Sequence, residues 1–147
     1  EEHFVPDFLS GHLARHTPLL EGLGIDCSVE AEKINGFFDE DLLTGTLNNT
    51  INNAIRYTKS KIRLTAGERD GYLVIGVEDD GKGYPESMQH TGTLSFKSLD
   101  FKSGSTSLGL FFASSVAKLH SDGKRTGAIK LHNRGSLGGG VFEIWLP

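Results

Sequence analysis

Leu43, Leu47, Ile51, Ala54 and Ile55 fall on one face of a helix, the clearest periodic signal in the chain. It predicts a helix over residues 39–58. Phe8, Leu9, Leu13, Leu19 and Leu20 predict an earlier helix over 7–21, interrupted or restarted near Pro18. Leu108, Phe111, Phe112, Val116 and Leu119 predict a third over 108–120. Residues 25–31 alternate with period two and read as a strand, as do 62–66, 72–79, 128–132 and 141–146. The segment 67–71 reads as a hairpin turn, and a glycine-rich turn joins the last two strands. Residues 84–106 keep neither period and are rich in Ser, Thr, Gly and Lys. They predict a mobile loop of the kind that covers functional sites. This order predicts an α/β (α+β) two-layer sandwich over residues 1–147, a single domain. Its sheet is mixed, mostly antiparallel, with about five strands and about three helices on one face.

Composition narrows the function without choosing it. A formal charge of −4 argues against nonspecific nucleic-acid binding. Cys27 is the only cysteine, which excludes an internal disulfide and a cysteine zinc site. Its alternation with Ile25, Val29 and Ala31 marks a buried strand residue. His12 and His16 share a helix face, but no third ligand accompanies them. No apolar run is long enough to span a bilayer. The chain opens at Glu1 without methionine, which fits a piece of a longer protein.

Three polar segments stand out against this background. Asn48, Asn49, Asn52 and Asn53 crowd one helix although asparagine is a poor helix former. Asn49, Asn53 and Arg56 lie opposite the apolar stripe, with Tyr57 at its border. Such a face can be merely solvated, or an amide oxygen can ligate Mg²⁺ and Arg56 can meet a phosphate. Asp79 shares strand parity with Leu73, Ile75 and Val77, so its carboxylate turns toward the buried face, while Asp80 points outward. Gly81 and Gly83 let the backbone turn and a flat ligand approach. Asp79 can equally cap a turn. Ser105, Thr106, Ser107, Leu108 and Gly109 open the third helix, whose N-terminus suits phosphate and is also well served by a Ser or Thr cap. Lys102 in the loop can reach a phosphate or stay solvated.

Together, in this order and spacing, the segments resemble the catalytic and ATP-binding domain of bacterial sensor histidine kinases, in the GHKL ATPase superfamily. Residues 53–58 (NAIRYT) resemble the family's N box and 79–85 (DDGKGYP) its G1 box. Residues 107–110 (SLGL) resemble its G2 box, and 138–147 (GGGVFEIWLP) its final strand. The resemblance implies ATP bound between sheet and helices under a lid at about 84–106. It implies Asn53 as the Mg²⁺ ligand, with Asn49 beside it and Arg56 near the phosphates. Tyr57 would lie near the nucleotide and Asp79 on the adenine amino group. Gly81 and Gly83 would shape the pocket, and Lys102 and Ser105–Gly109 would contribute to it.

The resemblance further implies a cytoplasmic protein-histidine kinase domain, itself monomeric, whose parent can be membrane-anchored. Its partners would be a dimerisation and histidine-phosphotransfer hairpin of the same parent and, downstream, a response regulator. No His-Glu or His-Asp acceptor segment occurs in this chain, so the hairpin would lie upstream. Ser105 and Ser107 stand where the family's last box has glycines. Hydrolysing relatives and anti-sigma serine kinases place a glutamate four residues before the metal asparagine, as general base; here that position is Asn49, which cannot take a proton. An anti-sigma-type serine kinase and a degenerate nucleotide-binding sensor module are the alternatives.

Overall fold

The computed structural model describes residues 2–84 and 105–147, with the backbone alone for 105–108. Helix α1 (Val5–Gly22) is followed by strand β2 (Asp26–Ala31) and helix α2 (Glu40–Tyr57). Strands β4 (Lys61–Arg69) and β5 (Tyr72–Asp79) come next, then helix α3 (Ser105–Leu119) and strands β6 (Ala128–His132) and β7 (Val141–Leu146). The main sheet runs β2-β4-β5-β7-β6. Only β2 pairs in parallel, with β4; the other pairings are antiparallel. The expected five-stranded mixed sheet with three helices is therefore present.

Helix α2 owes its existence to packing. Leu43, Leu47 and Ile51 are fully buried, and each contributes roughly 1.5–3 kcal/mol. Four asparagines cost at most about 0.7 kcal/mol apiece in propensity, so burial wins. Asp39 caps the start, its carboxylate accepting the Leu42 N–H at 3.0 Å. Thr58 ends the helix in extended conformation.

Three local details depart from the sequence reading. Helix α1 does not break at Pro18 but continues to Gly22. Pro18 and Ala14 are both exposed, so water can take the Ala14 carbonyl that the missing N–H would have bonded. Strand β4 extends to Arg69, and Arg69 pairs with Tyr72. The turn shrinks to Asp70-Gly71, both with positive φ, the two-residue turn that suits a twisted hairpin. Helix α3 begins at Ser105, so the last two residues assigned to the loop are helical. A small ribbon, β1 (Glu2–Phe4) against β3 (Asn35–Phe37), was not anticipated.

Strand β5 runs through the centre. Ile75 and Val77 join the core beneath the helices together with Ile62, Leu64, Ile129, Leu131, Phe142 and Ile144. The opposite sheet face carries Val74, Glu143 and Trp145. Lys130 Nζ lies 3.6 Å from the Trp145 ring centroid and Arg69 Cζ 5.2 Å. Cys27 is half-buried on edge strand β2, and burial pushes its thiol up to about 11. Among the described residues no helix is long and apolar enough to cross a membrane.

Candidate nucleotide site

Strand β5 ends at Asp79, where the chain turns through Gly81 and Gly83. The Asp79 N–H still makes a ladder bond, to the Gly140 carbonyl at 3.0 Å. Its buried side chain turns back on this turn. Oδ1 accepts the Gly81 N–H at 2.8 Å and the Gly140 N–H at 3.3 Å. With Oδ1 committed to the backbone, Oδ2 is the oxygen with acceptor capacity for a ligand donor. Burial raises the Asp79 carboxyl above its ordinary value; the two N–H groups oppose that shift, and the Asp80 charge adds to it.

The surrounding glycines are required by space. A Cβ on Gly81 would overlap the Tyr57 carbonyl. One on Gly139 would lie 2.6 Å from both Asp79 Oδ1 and the Gly81 nitrogen. One on Gly140 would stand 3.0 Å from the Tyr84 ring and 3.3 Å from Asp79 Oδ2. Gly83 has φ 83° and faces the Asn133 side chain. Burial, with Asp79 and Tyr57 close by, holds the Tyr84 phenol well above its ordinary pKa.

Asn49 and Asn53 stand on α2, in the turns before Tyr57. The Cβ position of Gly109, in the first turns of α3, lies 3.5 Å from Asn53 Nδ2 and 3.8 Å from Asn49 Cβ. Both asparagines therefore face α3, with Asn53 half-buried and Asn49 exposed. Arg56 and Tyr57 are exposed at the last turn, and the Tyr57 carbonyl abuts Gly81. The end of α2, the 79–83 turn and the glycines before β7 thus meet around one carboxylate. Lys102 lies outside the described residues, as does most of the expected lid. Ser105, Thr106, Ser107 and Leu108 belong to the first turn of α3 by backbone.

Several neighbours of Asp79 escaped the sequence reading. By sequence, Gly139 and Gly140 belong only to a turn and to the segment that resembles the family's final strand. Their place beside Asp79 follows from the β5–β7 register, in which Glu78 opposes Val141. Asn133, whose amide pairs with the Tyr84 backbone, had no signal at all. A cleft of about 800 Å³ lies elsewhere, between the start of α2 and the end of α3, and includes none of the asparagines or Asp79.

Chemically, Asp79 Oδ2 can accept a hydrogen bond from a ligand donor, and the amides of Asn49 and Asn53 offer polar groups beside α3. Among the described residues no group of three or more His, Cys, Asp or Glu could hold a metal. A cation here would need an amide oxygen together with ligand oxygens and water, which suits Mg²⁺.

Residues 38–147 match the family described as histidine kinase-, DNA gyrase B- and HSP90-like ATPases. The chain belongs to this family. Among its relatives is the sensor histidine kinase CpxA of Escherichia coli (strain K12). It is 34% identical over 110 residues, which cover 71% of this chain and 22% of that protein. Another is the sensor histidine kinase YkoH of Bacillus subtilis (strain 168), 33% identical over 86 residues, 56% of this chain and 19% of that protein. The chain thus matches about a fifth of the length of these relatives. The catalytic domain of histidine kinase ThkA has the same fold. It superposes with a TM-score of 0.78 at 22% identity, covering 100% of this chain and 94% of that one. This histidine kinase-like ATPase domain is therefore related to sensor kinases of two-component systems.

Proposed function

We propose that this domain binds Mg-ATP and donates its γ-phosphate to a histidine on a separate dimerisation and phosphotransfer hairpin of the same parent protein. A response regulator would receive the phosphate next. The parent would act in the cytoplasm, with or without a membrane anchor.

The observation that carries the reading is the state of Asp79. A buried carboxylate with one oxygen tied to two backbone N–H groups, in a cradle that any Cβ would fill, is a costly arrangement. It makes sense as an acceptor for an adenine amino group. Asn53 is the residue that would hold Mg²⁺, with Asn49 beside it. Bound Mg²⁺ supplies neutralisation of phosphate charge. Arg56 would orient and neutralise a phosphate oxygen, and the backbone N–H groups at the start of α3 would meet another. Asn49 cannot take a proton from water or a serine hydroxyl. Transfer to a better nucleophile, a histidine nitrogen, is the reaction this set favours.

The test mixes this domain with the histidine hairpin of its parent protein and γ-labelled ATP. Acid-labile, base-stable label on the hairpin is expected, and its loss in Asn53→Ala. Binding of ATP without any transfer would favour a sensor module instead.

A further inference from the structure

Asp80 follows Asp79 directly but turns the other way, onto the segment that leaves α2. Its Oδ1 accepts the N–H groups of Lys59 at 2.9 Å, Ser60 at 2.9 Å and Lys61 at 3.1 Å. Thr58 Oγ1 lies 2.7 Å from the same oxygen, and the Ser60 hydroxyl donates to Oδ2 at 2.8 Å. Thr58 Oγ1 also lies 2.7 Å from the Lys61 carbonyl. Its single proton serves one acceptor, and the carboxylate is the stronger. Burial alone would raise the Asp80 carboxyl; hydrogen bonds from Ser60, Thr58 and Lys61 outweigh it and hold the group below the usual carboxylate range.

A surface connection between a helix and a strand does not need three consecutive N–H groups on one oxygen. What distinguishes this connection is its position. It begins one residue after Tyr57, whose carbonyl abuts Gly81, and it is tied to the residue between Asp79 and Gly81. The clamp therefore joins the two parts of the candidate site that come from different elements. Asn53, Arg56 and Tyr57 are on one side and the base-facing Asp79 on the other.

We propose that Asp80 is the positioning residue of the nucleotide site, fixing the last turn of α2 relative to Asp79. The proposal rests on the Mg-ATP reading above. It concerns geometry rather than contact: Asp80 acts through residues 57–61 and does not touch the ligand.

The experiment is calorimetric titration with a nonhydrolysable ATP analogue and Mg²⁺, on wild type, Asp79→Asn, Asp80→Ala and Asp80→Asn, with folding checked by circular dichroism. Amide exchange at Lys59, Ser60 and Lys61 is read in parallel. Asp80→Ala should remain folded, expose those three amides and bind at least about tenfold more weakly, as expected for a displaced binding group. Asp80→Asn keeps an oxygen for the same donors, and the Ser60 hydroxyl can accept from its Nδ2, so binding should return to within about threefold of wild type. Wild-type affinity in a folded Asp80→Ala with the three amides exposed overturns the proposal and leaves the Mg-ATP reading standing. Protected amides in that variant overturn it as well. No binding by wild type overturns both. Should Asp80→Ala not fold, Asp80→Ser, whose shorter side chain cannot hold all three N–H groups, decides: weakened binding with those amides exposed supports the clamp, and unchanged affinity overturns it.

Discussion

The side-chain amide of Asn133 pairs with the backbone of Tyr84 as a strand partner would. Oδ1 accepts the Tyr84 N–H at 2.8 Å, and Nδ2 donates to the Tyr84 carbonyl at 2.9 Å. One side chain after β6 thereby anchors the residue at which the glycine turn ends. Asn133→Asp keeps the shape but replaces the donor with a charged acceptor facing a carbonyl. It should cost about 1–3 kcal/mol of stability, at least as much as Asn133→Ala. Urea unfolding of the two variants checks this; an Asp variant as stable as wild type would refute the paired geometry.

Asp79→Asn separates stability from binding. The two N–H groups on Oδ1 fix the amide orientation, so Nδ2 takes the place of Oδ2 and presents a donor to a donor. The wild-type carboxyl is raised by burial, so its ionised form costs stability at any pH above its folded pKa. The neutral amide carries no such cost. At pH 7 the melting temperature should hold or rise while ATP affinity falls by roughly tenfold or more. A lower melting temperature with unchanged affinity would remove Asp79 from the site.

Asn53→Ala should abolish the Mg²⁺ dependence of ATP binding and leave the fold intact, because Asn53 is half-buried and outside the apolar stripe. Asn52→Ala, on an exposed position, is the control. If Asn52→Ala removes metal dependence and Asn53→Ala does not, the two asparagines have been assigned to the wrong roles.

His12 should make the domain acid-sensitive. It is fully buried, its Nε2 has no hydrogen-bond partner among the described residues, and its pKa is lowered to about 4, first by burial and then by the His16 and Arg15 charges. The unfolded chain binds this proton near pH 6.5, so between pH 6.5 and 4 it holds more protons than the folded one. Stability present above that window is lost as pH falls through it, by up to about 3 kcal/mol. His12→Leu should flatten this part of the profile. Equal slopes for both proteins would count against it.

Asn49→Glu should raise ATP hydrolysis above a very slow wild-type rate, since a carboxylate can accept the proton of water. The site for it exists only if position 49 faces the γ-phosphate. Phosphate release from wild type, Asn49→Glu and Asn53→Ala measures this. Rapid wild-type hydrolysis, lost in Asn53→Ala, would instead favour an ATPase.

What could be read from sequence follows from the range of the forces involved. The stripe of Leu43, Leu47 and Ile51 and the alternation in β5 are local, and both were legible. So was the inward parity of Asp79. Strands β1 and β3, of three residues each, are too short to show a period and exist because each pairs with the other. Pro18 reads as a break only if its solvent exposure is unknown. Gly139, Gly140 and Asn133 lie beside the 79–84 turn through strand register, which one-dimensional spacing does not encode. The donors gathered by Asp80 come from residues 58–61, which as a sequence say only that a turn is present.

The packing of Trp145 also decides how this protein can be watched. It is the only tryptophan in the chain. It sits between Lys130 and Arg69 on the sheet face opposite Asp79. Its emission will report whether the sheet is intact and will be nearly blind to a nucleotide on the other side. An optical binding assay therefore needs a dye on the helical layer, while an unfolding assay has its probe built in.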